Sequence, residues 1–186
     1  MKKEYATLAR KPFLTPIWLA ALAAFVVASF TIWLWGTATS TTVVLIRHAE
    51  KQLNAGDDPP LTAAGEARAA LLARMFGADA GSGRLDAIYV SPTRRSQQTA
   101  APLALQNKIT LTMGPENDPK VLARRVLREH QGEHVLIVGH SNTVPRIVQA
   151  LSGVGSIAPI QDGEYGTMYI VTVPRIGRSS VLRLNY

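Results

Sequence analysis

Three short runs, apolar after a leading Asp86 and His134 in the last two, constrain this 186-residue chain more than any other feature: residues 43–46, 86–90 and 134–138. Each is too short to be a helix, and none alternates between apolar and polar positions. Strands of this kind belong to a sheet covered on both faces. Between them lie stretches with helical signals. Thr62 can cap a helix that runs to about Phe76, with Glu66 in its first turns. A second helix is expected from about Thr93 to Leu105, and Asp118-Pro119 can open a third that runs to about His130. A fourth covers residues 142–151, where Pro145 is tolerable because it lies in the first turn. Residues 109–113 read as an edge strand, and 165–173 and 180–184 as two more strands. The loop over 54–60 is rich in Gly, Asp and Pro. Strands alternating with helices of this length imply a three-layer α/β/α sandwich with a mostly parallel central sheet.

Ahead of this pattern, residues 17–35 contain no charged side chain. As a helix rising 1.5 Å per residue they would cross a bilayer core of about 30 Å. Trp18, Trp33 and Trp35 lie at the two ends of the run, where amphipathic rings favour the headgroup region. Lys2, Lys3, Arg10 and Lys11 precede it, and no charge follows before Arg47. The expected organisation is a cytoplasmic basic segment over 1–16, a single transmembrane helix over 17–36, a polar linker over 37–42, and an extracytoplasmic domain over 43–186. A cleavable signal peptide ending near Gly36-Thr37-Ala38 is the competing reading. The run is longer than a usual signal core, and bulky tryptophans end it.

The chain has no cysteine, which excludes disulfides, thiolate metal ligands and a cysteine nucleophile. Its formal charge of +7 favours anionic partners. No basic-and-aromatic stripe of the kind that binds single-stranded nucleic acid is present, so a nucleic-acid partner is not expected. Arg124, Arg125 and Arg128 read as a solvated helix face, and His130 and His134 as solvated histidines flanking a turn.

Ligands of open α/β sheets bind beyond the carboxyl ends of the strands. Three such ends here carry Arg47-His48, Ser91-Pro92-Thr93-Arg94-Arg95-Ser96 and Gly139-His140-Ser141-Asn142. Phosphoryl transfer needs donors around three charged oxygens. Arg47 and Arg95 can supply planar, bidentate ones, and His140 another. A neutral imidazole such as that of His48 can attack phosphorus. Asn142 and Ser141 can hydrogen-bond a phosphate or cap the helix that follows. With these groups no metal or other cofactor is needed.

The same residues resemble the histidine phosphatase superfamily, also called phosphoglycerate-mutase-like. The resemblance lies in Leu45-Ile46-Arg47-His48-Ala49-Glu50, in Leu61-Thr62-Ala63-Ala64-Gly65-Glu66-Ala67-Arg68-Ala69, in Ser91 through Ala100, and in Val138-Gly139-His140. These four motifs follow the family's order and cover roughly residues 42–173. The chain looks most like the small SixA-type members, with a membrane anchor added. The resemblance implies that His48 becomes phosphorylated, that Arg95 rather than Arg94 holds the phosphate, and that Arg47 and His140 complete the pocket. It also implies a small phosphorylated substrate. Larger members place a general acid soon after the second arginine, but residues 96–113 hold no carboxylate. Glu116 is the expected acid. Glu50, Asp57 and Asp58 lie in loops on the correct side. A phosphomutase and a catalytically silent anion-binding domain are the alternatives to hydrolysis.

Overall fold

A computed structural model describes residues 17–37, 39–53, 56–77, 84–114 and 118–186. The chain divides into two compact units, residues 1–37 and 38–186. In the first, α1 (Ile17–Thr37) is a continuous helix. Its window Ile17–Leu34 has a mean hydropathy of 2.2, so the helix is long and apolar enough to cross a membrane. The basic residues 1–16 lie outside the described residues.

The second unit holds a six-stranded sheet in the order β3-β2-β4-β1-β5-β6. Its strands are β1 (Ser40–Arg47), β2 (Ala87–Val90), β3 (Leu111–Met113), β4 (His134–Gly139), β5 (Thr167–Pro174) and β6 (Ser180–Asn185). The β1–β4, β4–β2 and β2–β3 pairs are parallel, whereas β5 and β6 are antiparallel additions on the other side of β1. Four helices cover the sheet: α2 (Ala63–Phe76), α3 (Arg94–Asn107), α4 (Pro119–Glu129) and α5 (Thr143–Ser152). Alternate residues of each central strand enter opposite cores. Val43, Leu45, Tyr89, Val135 and Ile137 pack with α4 and α5. Val44, Ile46, Ile88, Val90, Leu136 and Val138 pack with α2 and α3. This double burial explains why the strands are apolar throughout, and it yields the three-layer sandwich expected from the sequence.

Local signals set the helix starts. The Thr62 hydroxyl accepts from Gly65 N at 3.1 Å, and the Asp118 carboxylate accepts from Lys120 N at 2.9 Å and Val121 N at 3.2 Å. Pro102 sits inside α3.

Three details differ from the sequence reading. β1 begins at Ser40 rather than Val43, because Ser40, Thr41 and Thr42 pair with Pro174, Val173 and Thr172 of β5. Their polar side chains hide a strand whose pairing partner is distant in sequence. His130 is not solvated. Its Nε2 lies 3.0 Å from the Tyr89 hydroxyl and its Nδ1 2.7 Å from Glu133 Oε2. A tyrosine ring buried to 2% exposure needs a partner for its hydroxyl, and the end of α4 supplies one. Arg125 likewise departs from the solvated face. Its guanidinium lies over the Tyr89 ring, 5.6 Å from the centroid, and pairs with Glu129 at 2.9 Å.

Candidate active site

The parallel register aligns the ends of three neighbouring strands. Arg47 is paired with Gly139, and Val90 with Val138. Hydrogen bonds continue the ladder one residue further: His48 N donates to Gly139 O at 2.9 Å and Ser91 N to Val138 O at 3.2 Å. The chain therefore leaves the sheet side by side at His48, Ser91 and His140. An open cleft of about 410 Å³ lies there, lined by Arg47, His48, Arg95, His140 and Asn142, together with Lys51, Thr93, Ser141 and Asp162.

The two imidazoles face each other edge to face, with centroids 5.3 Å apart. His48 Nδ1 lies 2.8 Å from the carbonyl oxygen of Ala49. A carbonyl can only accept, so Nδ1 carries the hydrogen and the lone pair of the neutral ring sits on Nε2. Burial pushes the His48 pKa down to about 4, helped by His140, Arg95 and Arg47 and opposed by the Ala49 bond. Burial, then Arg95, Arg47 and Lys51, push His140 down to about 4 as well. Both rings are therefore neutral near pH 7.

Arg47 is 4% exposed, and its Nη1 donates to Gln161 O and Asp162 O at 2.8 Å each. Its guanidinium lies 4.4 Å from the centroid of the Tyr165 ring, and Asp162 Oδ1 stands 3.9 Å from Nη2. The charge is thus held mainly by carbonyl dipoles and an aromatic face. Arg95 Nη1 lies 3.5 Å from Asp58 Oδ1. The Nε–H groups of Arg47 and Arg95 have no hydrogen-bond partner among the described residues.

The remaining motif residues tie these segments together. Ala49 N donates to Thr99 Oγ1 at 2.9 Å, and that hydroxyl donates to Arg95 O at 2.7 Å. The loop after β1 is thereby fixed to the helix that carries Arg95. Gln98 Oε1 accepts from Leu61 N at 2.9 Å. Ser91, Thr93 and Ser96 form a closed hydroxyl triangle with sides of 2.8–3.1 Å at the start of α3. With Thr93 so engaged, Asp58 caps α3 instead, accepting from Arg94 N at 2.9 and 3.0 Å. Gly65 packs so closely that a Cβ there would lie 2.3 Å from Glu50 O.

The structure brings together Arg47, His48, Arg95, His140 and Asn142, as the sequence suggested. Arg94 is exposed and does not line the cleft. Asn142 makes no side-chain cap bond; the Thr143 hydroxyl accepts from His140 N at 2.9 Å instead. Glu116 lies outside the described residues. Glu50 is engaged by Arg68 at 2.6 Å, and although burial opposes it, this pairing holds the Glu50 carboxyl below its ordinary value. Sequence reasoning did not find Lys51, Asp162 or Tyr165. Only the antiparallel pairing of β5 with β1 brings the loop 161–165 to Arg47, and no local signal announces that pairing. No group of residues able to hold a metal ion occurs among the described residues.

The model of the histidine phosphatase superfamily (branch 1) matches residues 43–116. No curated protein matches the chain in sequence. Solved structures do match in fold. The protein histidine phosphatase SixA complexed with tungstate superposes with a TM-score of 0.64 at 20% identity, covering 77% of this chain and 96% of that one. A mycobacterial glucosyl-3-phosphoglycerate phosphatase gives 0.62 at 13% identity, covering 78% and 99%. A putative alpha-ribazole-5'-P phosphatase from Escherichia coli K-12 gives 0.59 at 18%, covering 78% and 96%. The matched span holds Arg47, His48 and Arg95, and the fold carries His140 to them from outside it. Over residues 43–116 the chain is similar to the histidine phosphatase superfamily, and residues 38–186 share the fold of these solved phosphatases.

Proposed function

We propose that the domain hydrolyses a phosphate monoester or phosphoramidate through a phosphohistidine on His48. The observation that carries this reading is the His48 Nδ1–H···O=C bond to Ala49, 2.8 Å long, in a cleft lined by two arginines. It directs the ring's lone pair, on Nε2, away from the backbone. Nε2 attacks phosphorus as the bond to the leaving oxygen or nitrogen breaks, and the leaving group takes up a proton. The imidazolium so formed keeps its Nδ1–H on Ala49 O, which stabilises the charge. Arg47, Arg95, His140 and Asn142 hold the phosphoryl oxygens. Water then attacks phosphorus, the N–P bond breaks, and inorganic phosphate leaves with His48 neutral again. No metal takes part, so a chelator leaves the rate unchanged.

The test is hydrolysis of p-nitrophenyl phosphate by the full-length chain in detergent. His48→Ala is expected to lose about a thousandfold or more in kcat. A variant as active as the parent would mean that His48 is not the nucleophile.

The α1 helix supports a second element of the proposal, a membrane anchor, and the basic residues Lys2, Lys3, Arg10 and Lys11 ahead of it favour a catalytic domain outside the cytoplasm. Substrate is then met extracytoplasmically. A reporter fused after Tyr186 that is active only in the cytoplasm would sink this orientation.

A further inference from the structure

Lys51 lines the same cleft as Arg47, His48, Arg95 and His140, but the phosphoryl group already has its donors. Its backbone is held in place. Lys51 forms an antiparallel bridge with Leu61, Gln52 N donates to Pro60 O at 2.9 Å, and Gln52 Nε2 donates to Leu61 O at 3.2 Å. The ammonium therefore projects from a braced segment, three residues after the nucleophile.

The carboxylates nearby are committed elsewhere. Glu50 is bound by Arg68, with Nε donating to both carboxylate oxygens at 3.0 Å and Nη2 to Oε1 at 2.6 Å. Asp58 caps α3 and faces Arg95. Asp162 stands against Arg47. Among the described residues, Lys51 has neither an ion pair nor a side-chain hydrogen bond. Its charge also acts on His140, across the cleft they both line.

We propose that Lys51 binds a second anionic group, a carboxylate or a phosphate, carried on the leaving group of the substrate. This rests on the phosphatase reading and narrows it to esters whose leaving group is itself negatively charged. The ammonium of this half-buried lysine offers up to three N–H donors to such a group, and a charge-assisted bond of this kind is worth about tenfold in selectivity.

Three matched three-carbon substrates test it: propanediol monophosphate, 3-phosphooxypropanoate and propanediol bisphosphate. The full-length chain in detergent is expected to prefer at least one of the two charged compounds about tenfold in kcat/KM. Lys51→Met should bring that ratio toward one, Lys51→Arg should preserve it, and Lys51→Glu should invert it. Preference for the carboxylate or for the bisphosphate tells the two anions apart. Equal rates for all three, or a ratio unmoved in Lys51→Met, would overturn the proposal while leaving the phosphatase reading intact. If none is hydrolysed and p-nitrophenyl phosphate is also inert, the phosphatase reading fails. The Lys51 proposal is then decided by calorimetric binding of the same three compounds to the His48→Ala chain, where the affinity ratio must again depend on Lys51.

Discussion

Replacing Gly65 with alanine tests how closely the site depends on its packing. The new Cβ would lie 2.3 Å from Glu50 O, 3.1 Å from Glu50 N and 3.2 Å from Glu50 C. These are backbone atoms, so no side chain can swing aside. Helix α2 and the segment after His48 must separate by about 1 Å to restore ordinary contact. Overpacking of this kind costs about 1–3 kcal/mol. The same separation strains the bond from Thr62 N to Glu50 O, now 2.9 Å, worth about 1 kcal/mol. The expected destabilisation is therefore about 2–4 kcal/mol. Glu50 lies two residues beyond His48, and a misplacement of about 1 Å at a reacting group can cost about a hundredfold in rate. A fall of about 10- to 100-fold in kcat/KM should accompany the lost stability. Urea unfolding should be followed by far-UV circular dichroism, because all three tryptophans lie in residues 18–35 and report on the N-terminal segment. A variant within about 0.5 kcal/mol of the parent and within twofold in activity would refute the argument.

Two further predictions concern protons. Histidine side-chain NMR of the ligand-free protein should give His48 and His140 midpoints near 4 rather than 6.5. Because folding lowers these values, protonation should destabilise the fold as the pH drops below 6.5, with the loss complete only below about 4; midpoints at 6.5 would show that burial does not suppress the charge. If Glu116 is the general acid, Glu116→Gln should slow alkyl phosphates about a hundredfold or more and spare p-nitrophenyl phosphate, whose leaving group needs no proton. Equal effects on both substrates would remove Glu116 from that role.

The sequence was most readable where an element is determined by its own residues. The all-apolar central strands, the Thr62 and Asp118 caps and the tolerated Pro145 are local signals, and they gave the order of elements from Thr62 onward. The positions of His48, Arg95 and His140 followed from that order, since each trails a parallel strand. Features built from distant segments were hidden. Ser40-Thr41-Thr42 looks like a linker until β5 pairs with it. Asp58 looks like a loop carboxylate until the hydroxyl triangle of Ser91, Thr93 and Ser96 leaves α3 in need of a cap. His130 looks solvated until a buried tyrosine on a strand beneath it requires a partner.

The grip of the 161–165 loop on Arg47 has a thermodynamic consequence. A free arginine side chain carries about 2 kcal/mol of rotamer entropy, which a ligand must ordinarily overcome when it orders the chain. Here two carbonyls at 2.8 Å and the Tyr165 ring have already removed that freedom. The entropy is lost once, when β5 docks on β1, so an anion bound by Arg47 as proposed would not incur that loss again. Loosening that loop would therefore weaken anion affinity even with every residue that touches the anion unchanged.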